Sequence, residues 1–489
     1  MREIRKKDYR FWFLSFLLIL ALVSRILYAF FNDILWWDES IYIGMAKFIY
    51  SGGVLGFWEM FRPPVMSFIV GFGWFIGLDI RSWGIFAELA MGMSLLVLVY
   101  VIGEKIKKDA GLIAMGIMAL LPSVFLHGNK ILSGIPSTVL ALLVVWSVLK
   151  RRWFFAGIFS SLAFLTRFPQ GVLIASVFTS IIIVWLNSEK RMKEWKPALK
   201  NIILLIGGFL VFTLPYLIIN TIQYDHPLQP MINASIVINE AAVWIYDYGN
   251  LFYLKELLLQ NIFIIFAVVA LCVYFYERKW KDHGWNMLVI PSVILLGYFF
   301  WLPHKEFRYF IPAYPYLAIM AGLGILWLVP VLKARLKAKK IKVDNLEKYI
   351  IAGVIIISVL MNLFVLAFIS PPSAQELDEN RKEFLMFFNE STPKEKMLIT
   401  TTVLYTSYTN KPLVFLGGWE YCYDVYGRFE YKSSHISIDL CDHPCQENTI
   451  CSENRETFIE KMNRENRLLF NSSYERYDGA VCPLLIWER

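Results

Sequence analysis

The first residues able to do chemistry stand in W-W-D-E-S-I-Y, residues 36–42. Asp38 and Glu39 come only a few residues after a long apolar run. Adjacent carboxylates beside such a run are costly unless hydrated, paired or used. One of them, used, would be a general base that takes the proton of an acceptor hydroxyl. The plainer alternative is an acidic helix start, with Asp38 as N-cap of a helix through Lys47.

A second cluster stands in P-H-K-E-F-R-Y-F-I-P, residues 303–312. His304, Lys305, Glu306 and Arg308 are packed between two apolar runs. Fixed cations there suit a lipid phosphate. The plainer alternative is a turn whose charges pair locally, Lys305 or Arg308 with Glu306. Three further cations stand at similar boundaries: Arg62 before Pro63-Pro64, Arg167 in T-R-F-P, and Lys130 after His127-Gly128-Asn129. Each would neutralise phosphate or snorkel to headgroups. Arg25 lies inside the first apolar run and needs a partner. Glu88, at similar depth in the second run, is the expected one; the alternative is that Arg25 reaches toward Asp38.

The elements that must hold these residues are membrane spans. Hydrophobic residues make up 57% of the 489 and charged residues 18%, below the 25% or so of an average soluble domain. The apolar residues gather in runs near 11–31, 84–103, 112–126, 135–149, 153–166, 170–186, 201–219, 257–275, 285–302, 309–330 and 349–369. A span takes roughly 20 apolar residues, so an all-α polytopic domain of about eleven transmembrane helices is expected over 1–370. Alternate connections hold 26 and 8 Lys and Arg, which orients the N-terminus to the cytoplasm. The first outside loop is then 32–83, and 371–489 lies outside a cell membrane. Segment 62–77 is short and rich in Gly and Pro, which fits a helix in the interface or dipping into the membrane. The net charge of +8 is spread over these inter-span clusters, so no nucleic-acid partner is expected.

After Pro371-Pro372 the chain turns polar. MLITTTVLYTSY and KPLVFLG read as strands, and RETFIEKMNRENRLLF as a helix, giving a small α/β domain. Cys422, Cys441, Cys445, Cys451 and Cys482 fall in it. On the outside, their close spacing predicts disulfides with at least one thiol left over; a metal site is the competing reading. Asn233, Asn389 and Asn471 head N-x-S/T triplets, acceptors for glycosylation if they lie outside.

Taken together, the acidic pair in the first outside loop, the Pro-Pro turn some twenty residues on, and the late R-Y-x-x-P turn resemble the C-type (GT-C fold) glycosyltransferases. The likeness covers roughly 1–330 and is greatest to protein O-mannosyltransferases and lipid A aminoarabinose transferases. H-K-E-F-R also resembles the H-K-E-x-R signature of mannosyltransferases that build GPI anchors and lipid-linked oligosaccharides. The resemblance implies a polyprenyl- or dolichyl-phosphate sugar as donor and an inverting transfer of a mannose-like sugar. It gives Asp38 the role of base, with Glu39 its neighbour, and places Arg62, Arg167, His304, Lys305, Glu306 and Arg308 at the donor phosphate. The sequence departs at Gly134, where relatives often carry an acid. The acceptor, a hydroxyl on protein, glycan or lipid, stays open; loop 220–256 is the expected contributor to its site.

The chemistry agrees with this topology. A lipid phosphate is already a good leaving group, so transfer needs cations at the phosphate and one base at the acceptor. No metal or other cofactor is expected, since the first outside loop has no D-x-D. An oligosaccharyltransferase is a further alternative: W-I-Y-D-Y-G (244–249) faintly resembles its W-W-D-Y-G signature. A transporter or flippase for lipid-linked sugars is the alternative of another class, which would favour facing mid-membrane charges and internal repeats.

Overall fold

A computed structural model describes residues 2–31, 35–240, 248–249, 251–339, 345–368, 379–391, 396–419, 422–445, 447, 449–475 and 479–489, with the backbone alone at 2–9, 240 and 388–391. In chain order the described helices begin with α1 (Arg2–Phe31), α2 (Trp37–Tyr50), α3 (Val65–Phe75), α4 (Ile80–Ile106) and α5 (Ala110–Met118). Next come α6 (Pro122–His127), α7 (Gly134–Leu149), α8 (Trp153–Thr166), α9 (Val172–Leu186), α10 (Arg191–Tyr224) and α11 (Gln229–Glu240). The run ends with α12 (Phe252–Gln260), α13 (Ala267–Tyr276), α14 (His283–Trp301), α15 (Tyr314–Ala338) and α16 (Leu346–Phe368).

All eleven apolar runs are helical, but not all as single full-length spans. Seven described helices are long and apolar enough to cross a bilayer alone. An eighth crossing is possible in a pair, Phe252–Gln260 and Ile262–Tyr276, bent by 111°. Run 112–126 breaks where Pro122 opens α6, since proline lacks the amide that would continue the preceding helix. At 16 and 14 residues α7 and α8 reach about 24 and 21 Å, less than the roughly 30 Å hydrocarbon core. α3 has 11 residues, about 16 Å, so segment 62–77 holds no helix of spanning length.

The chain divides into two compact units. The first takes in the described residues of Met1–Phe30, Met60–Val65 and Phe86–Ser370. Its core is helix on helix. Every residue of α5 is buried, so this helix has no face for lipid. α8 and α10 touch backbone to backbone: a Cβ on Gly157 would lie 2.1 Å from the Leu205 carbonyl, and one on Gly208 2.1 Å from that of Phe154. Small residues permit such close approach in membranes. The expected Arg25–Glu88 pair is not made. Buried Arg25 donates to the carbonyls of Ala21 (3.1 Å) and Ala119 (3.0 Å), while Glu88 accepts the Leu132 amide at 3.1 Å. Similar depth on two helices does not fix which way each side chain faces.

The second unit takes in the described residues of Phe31–Glu59, Met66–Ile85 and Pro371–Arg489, so most of the first loop packs with the C-terminal α/β elements. These are α17 (Glu379–Ser391), β1 (Met397–Thr400), α18 (Tyr405–Tyr408), β2 (Leu413–Phe415), α19 (Cys422–Phe429), β3 (Ser433–Asp439), α20 (Ile450–Glu465), β4 (Arg467–Glu475) and β5 (Val481–Glu488). The sheet runs β2-β1-β3-β5-β4, with β1 parallel to both neighbours and β5 antiparallel to both of its own. Alternate residues feed two cores. Leu398, Leu484 and Ile486 join Phe384 and Tyr405 on one side; Ile399 and Trp487 join Phe458 and Met462 on the other.

Two of the expected boundaries differ. The strand read over 397–408 stops at Thr400 and ends in the turn α18. Thr400 Oγ1 accepts the Thr402 amide at 3.0 Å, and Thr402 Oγ1 that of Leu404 at 3.4 Å. Such local acceptors compete with a ladder. The helix read over 455–470 ends at Glu465, and Arg467–Phe470 opens β4. The cysteines form Cys441–Cys482 and Cys445–Cys451 disulfides, leaving Cys422 a buried thiol outside both. These four sulfurs are therefore not a metal site.

Candidate active site

The cationic cluster is built in the first unit. α14 ends at Trp301, and residues 302–306 lead into a 3-10 turn, Phe307–Ala313, that opens α15. A charged turn among apolar helices must have its backbone groups satisfied. Tyr253 of α12 does this: its hydroxyl donates to the Glu306 carbonyl and accepts the Glu306 amide, both at 3.1 Å. Its ring stacks on Phe310 at 5.1 Å.

Within the turn, Glu306 is shared. It receives Arg308 Nε at 2.5 Å and Nη2 at 3.1 Å, and His304 Nε2 lies 2.9 Å away. Burial alone would raise its pKa; the Arg308 charge and the His304 and Arg308 hydrogen bonds overcome that and hold it well below the usual carboxylate range. Glu306 is therefore a fixed anion that orients Arg308. Tyr309 gathers the other groups. His304 stacks on it at 5.5 Å, Arg308 Cζ lies 5.8 Å from its centroid, and Arg167 Cζ approaches to 5.2 Å. Arg167 stands in extended conformation at the end of α8. A Cβ on Gly134 would lie 3.5 Å from its Nη1, so position 134 adjoins this guanidinium.

Lys305 differs from its neighbours. It is 2% exposed, and its ammonium donates to the Leu302 carbonyl at 2.8 Å. No carboxylate lies within ion-pair distance of it among the described residues. An ammonium carries three donors, and a buried charge without a counterion is costly. Arg62 is half-buried in the same unit, just before the buried Pro63-Pro64. Lys130 is buried as well.

The acidic pair belongs to the second unit. Trp36, not Asp38, is the N-cap of α2, and Asp38 lies in the first turn. Glu39 is 1% exposed and turns back, its Oε2 accepting the Trp36 amide at 2.8 Å. It has the third-position role of a capping box, whereas Asp38 stays half-buried. α2 is gripped by C-terminal residues. Thr406 Oγ1 donates to the Ser40 carbonyl at 2.6 Å, and Lys47 Nζ donates to the carbonyls of Thr406 (2.6 Å) and Thr409 (3.0 Å). Trp37 packs edge-on against Phe415 at 5.7 Å and His443 at 5.5 Å. Behind the helix, Gly56 has φ 69°, and a Cβ there would lie 2.2 Å from the Gly44 carbonyl; only glycine fits.

Sequence reasoning missed Tyr253, Tyr309 and Lys47. Tyr309 lies inside the quoted R-Y-F-I-P, a usable signal; Lys47 is a lysine in the last turn of α2, an ordinary place for one, and carries none. The W-I-Y-D-Y-G segment and the middle of loop 220–256 lie largely outside the described residues. Of the sequons, Asn233 is half-buried on α11 and Asn471 exposed on β4, and the Asn389 side chain is outside the described set.

Comparison with known proteins identifies the fold. Residues 61–219 match the profile of the dolichyl-phosphate-mannose-protein mannosyltransferases. ArnT from Cupriavidus metallidurans, solved with undecaprenyl phosphate, superposes with a TM-score of 0.65 over 98% of both chains at 11% identity. The oligosaccharyltransferase AglB from Archaeoglobus fulgidus, solved with an inhibitory peptide and a dolichol-phosphate, gives 0.58 over 97% of this chain and 74% of its own at 12% identity. No curated protein matches by sequence. The chain has the GT-C fold: a largely helical membrane domain with a small C-terminal sheet domain, resembling O-mannosyltransferases and ArnT.

Proposed function

We propose that this protein is an inverting glycosyltransferase of the outer membrane face. It moves a mannose-like sugar from a polyprenyl or dolichyl phosphate to an acceptor hydroxyl. The observation that carries the reading is Lys305: a buried ammonium with one carbonyl acceptor, in the same turn as Arg308 and Tyr309, on whose ring Arg167 also converges; an anion is its missing partner. The fold supports it, because ArnT and AglB were solved with lipid phosphates. The uneven distribution of basic residues supports the N-terminus inside and the C-terminal domain outside.

The step is a substitution at the anomeric carbon. The acceptor oxygen forms the new bond as Asp38 takes its proton. The bond from the anomeric carbon to phosphate breaks, and its electron pair stays on the leaving lipid phosphate. Lys305, Arg308, Arg167 and Arg62 stabilise that growing charge, as preorganised cations do. Glu306 and His304 hold Arg308, and Glu39 holds the start of α2. The cations supply what a metal would supply, so the reading includes metal independence.

Purified full-length protein given radiolabelled polyprenyl-phosphate sugars tests it. Acceptor-dependent release of lipid phosphate is expected, with mannose the preferred sugar. Movement of the intact lipid-linked sugar between vesicle leaflets, with no bond broken, would make it a flippase instead.

A further inference from the structure

Two helices that end at the candidate site begin or end, at their far poles, on a cavity. α7 starts at Gly134 beside Arg167 and finishes at Leu149; α14 starts at His283 and leads into 304–308. At 1.5 Å per residue the far poles lie about 22 and 27 Å away along the helix axes. The cavity there measures about 330 Å³, within the range of roughly 300–1,000 Å³ usual for ligand pockets. Leu149, Val184 and Trp285 give it apolar walls. Lys105 lines it from the last turn of α4, Arg151 from the turn between α7 and α8, and Lys281 from the 3-10 turn that precedes α14.

The charge there is unbalanced. None of the three cations has a carboxylate within ion-pair distance among the described residues. Asp282, the acid in the lining, is committed: its Oδ1 accepts the amides of Gly284 (2.7 Å) and Trp285 (3.1 Å) as the cap of α14. His283 is held by Ser180 Oγ at 2.9 Å and lies edge-on to Trp153 at 5.1 Å. Three cations over apolar walls, at the ends of apolar helices, match a phosphodiester attached to a lipid.

We propose that this cavity binds a phosphate group, that of an anionic phospholipid headgroup, at the pole opposite the candidate active site. The three cations hold the phosphate, and the walls take the glycerol and the first acyl carbons. The inference stands on this cavity alone and does not depend on the transferase reading.

The test is thermal melting of the purified full-length protein in an uncharged detergent. The probes are a short-chain phosphatidylglycerol, the matching phosphatidylcholine, and inorganic phosphate. A saturable rise with phosphatidylglycerol is expected, with little from phosphatidylcholine, whose own cation the site repels. The triple variant Lys105→Gln/Arg151→Gln/Lys281→Gln should melt normally without ligand and bind the anionic lipid about tenfold more weakly or worse. If it does not fold, Lys281→Glu, at an exposed position, should show a similar loss. An equal rise with inorganic phosphate, lost in the variants, would support the phosphate site and assign it to the free ion. Equal responses to both lipids, or responses unchanged in the variants, would overturn the proposal.

Discussion

Lys47 and Thr406 lie 359 residues apart in the chain, yet the Lys47 ammonium donates to the Thr406 carbonyl at 2.6 Å. The same threonine returns a hydrogen bond to Ser40. The helix that carries Asp38 and Glu39 is thus fastened to the C-terminal elements at both of its ends. Burial pushes the Lys47 pKa down to about 8 from 10.5, and the Asp79 charge opposes this. The unfolded chain therefore binds more protons than the native one between those values, so this group makes stability rise with pH across that window, by roughly 3 kcal/mol. Chemical denaturation at pH 7.5 and pH 10 should show the rise in the wild type. Lys47→Met should flatten it; an unchanged slope would assign it to other groups.

The lone buried cation of the charged turn should govern donor use. Lys305→Ala should weaken donor use by about tenfold to a hundredfold, the loss of a charge-assisted contact of about 1.5–3 kcal/mol. KM and kcat for the lipid donor, with melting temperature as the folding control, check this. Chelators should leave the wild-type rate unchanged, because the cations serve in place of a metal. Normal donor kinetics in a folded Lys305→Ala protein would make this lysine structural.

Topology is read with an impermeant thiol label on intact cells, in a background lacking Cys272. Cysteines placed at the exposed positions Leu251 and Tyr431 should react, and those at Met192 and Lys337 should not. Reaction at Met192 from outside would invert the map beyond segment 62–77.

Much of the helical framework was legible because a bilayer enforces long apolar runs, and those runs are plain in the chain. The breaks were less so. Pro122 marks one in the sequence, but Asn261, where α12 gives way to a bent continuation, looks like any polar residue in an apolar run. The charged turn was visible as His304–Arg308, with its Arg308–Glu306 pairing among the alternatives. Its fixing by Tyr253, some fifty residues earlier, was not, because a tyrosine near a helix start has many ordinary uses. The Arg25 partner was misread since composition gives depth but not rotation. The Lys47–Thr406 tether depends on a tertiary meeting that no local pattern encodes.

The central claim is that Asp38 is the base. Glu39 is engaged in closing the start of α2, while Asp38 stands beside it in the first turn, half-buried. Asp38→Asn keeps the shape and hydrogen-bonding capacity but cannot accept the proton, so it separates chemistry from binding. Turnover and donor affinity should be measured separately in Asp38→Asn and Glu39→Gln, each checked for thermal stability. The account predicts that Asp38→Asn lowers kcat by about 10²-fold or more with donor affinity nearly intact, and that Glu39→Gln is milder and acts chiefly on stability. Near-normal turnover in Asp38→Asn, or a larger loss of turnover in a stably folded Glu39→Gln protein, would contradict it.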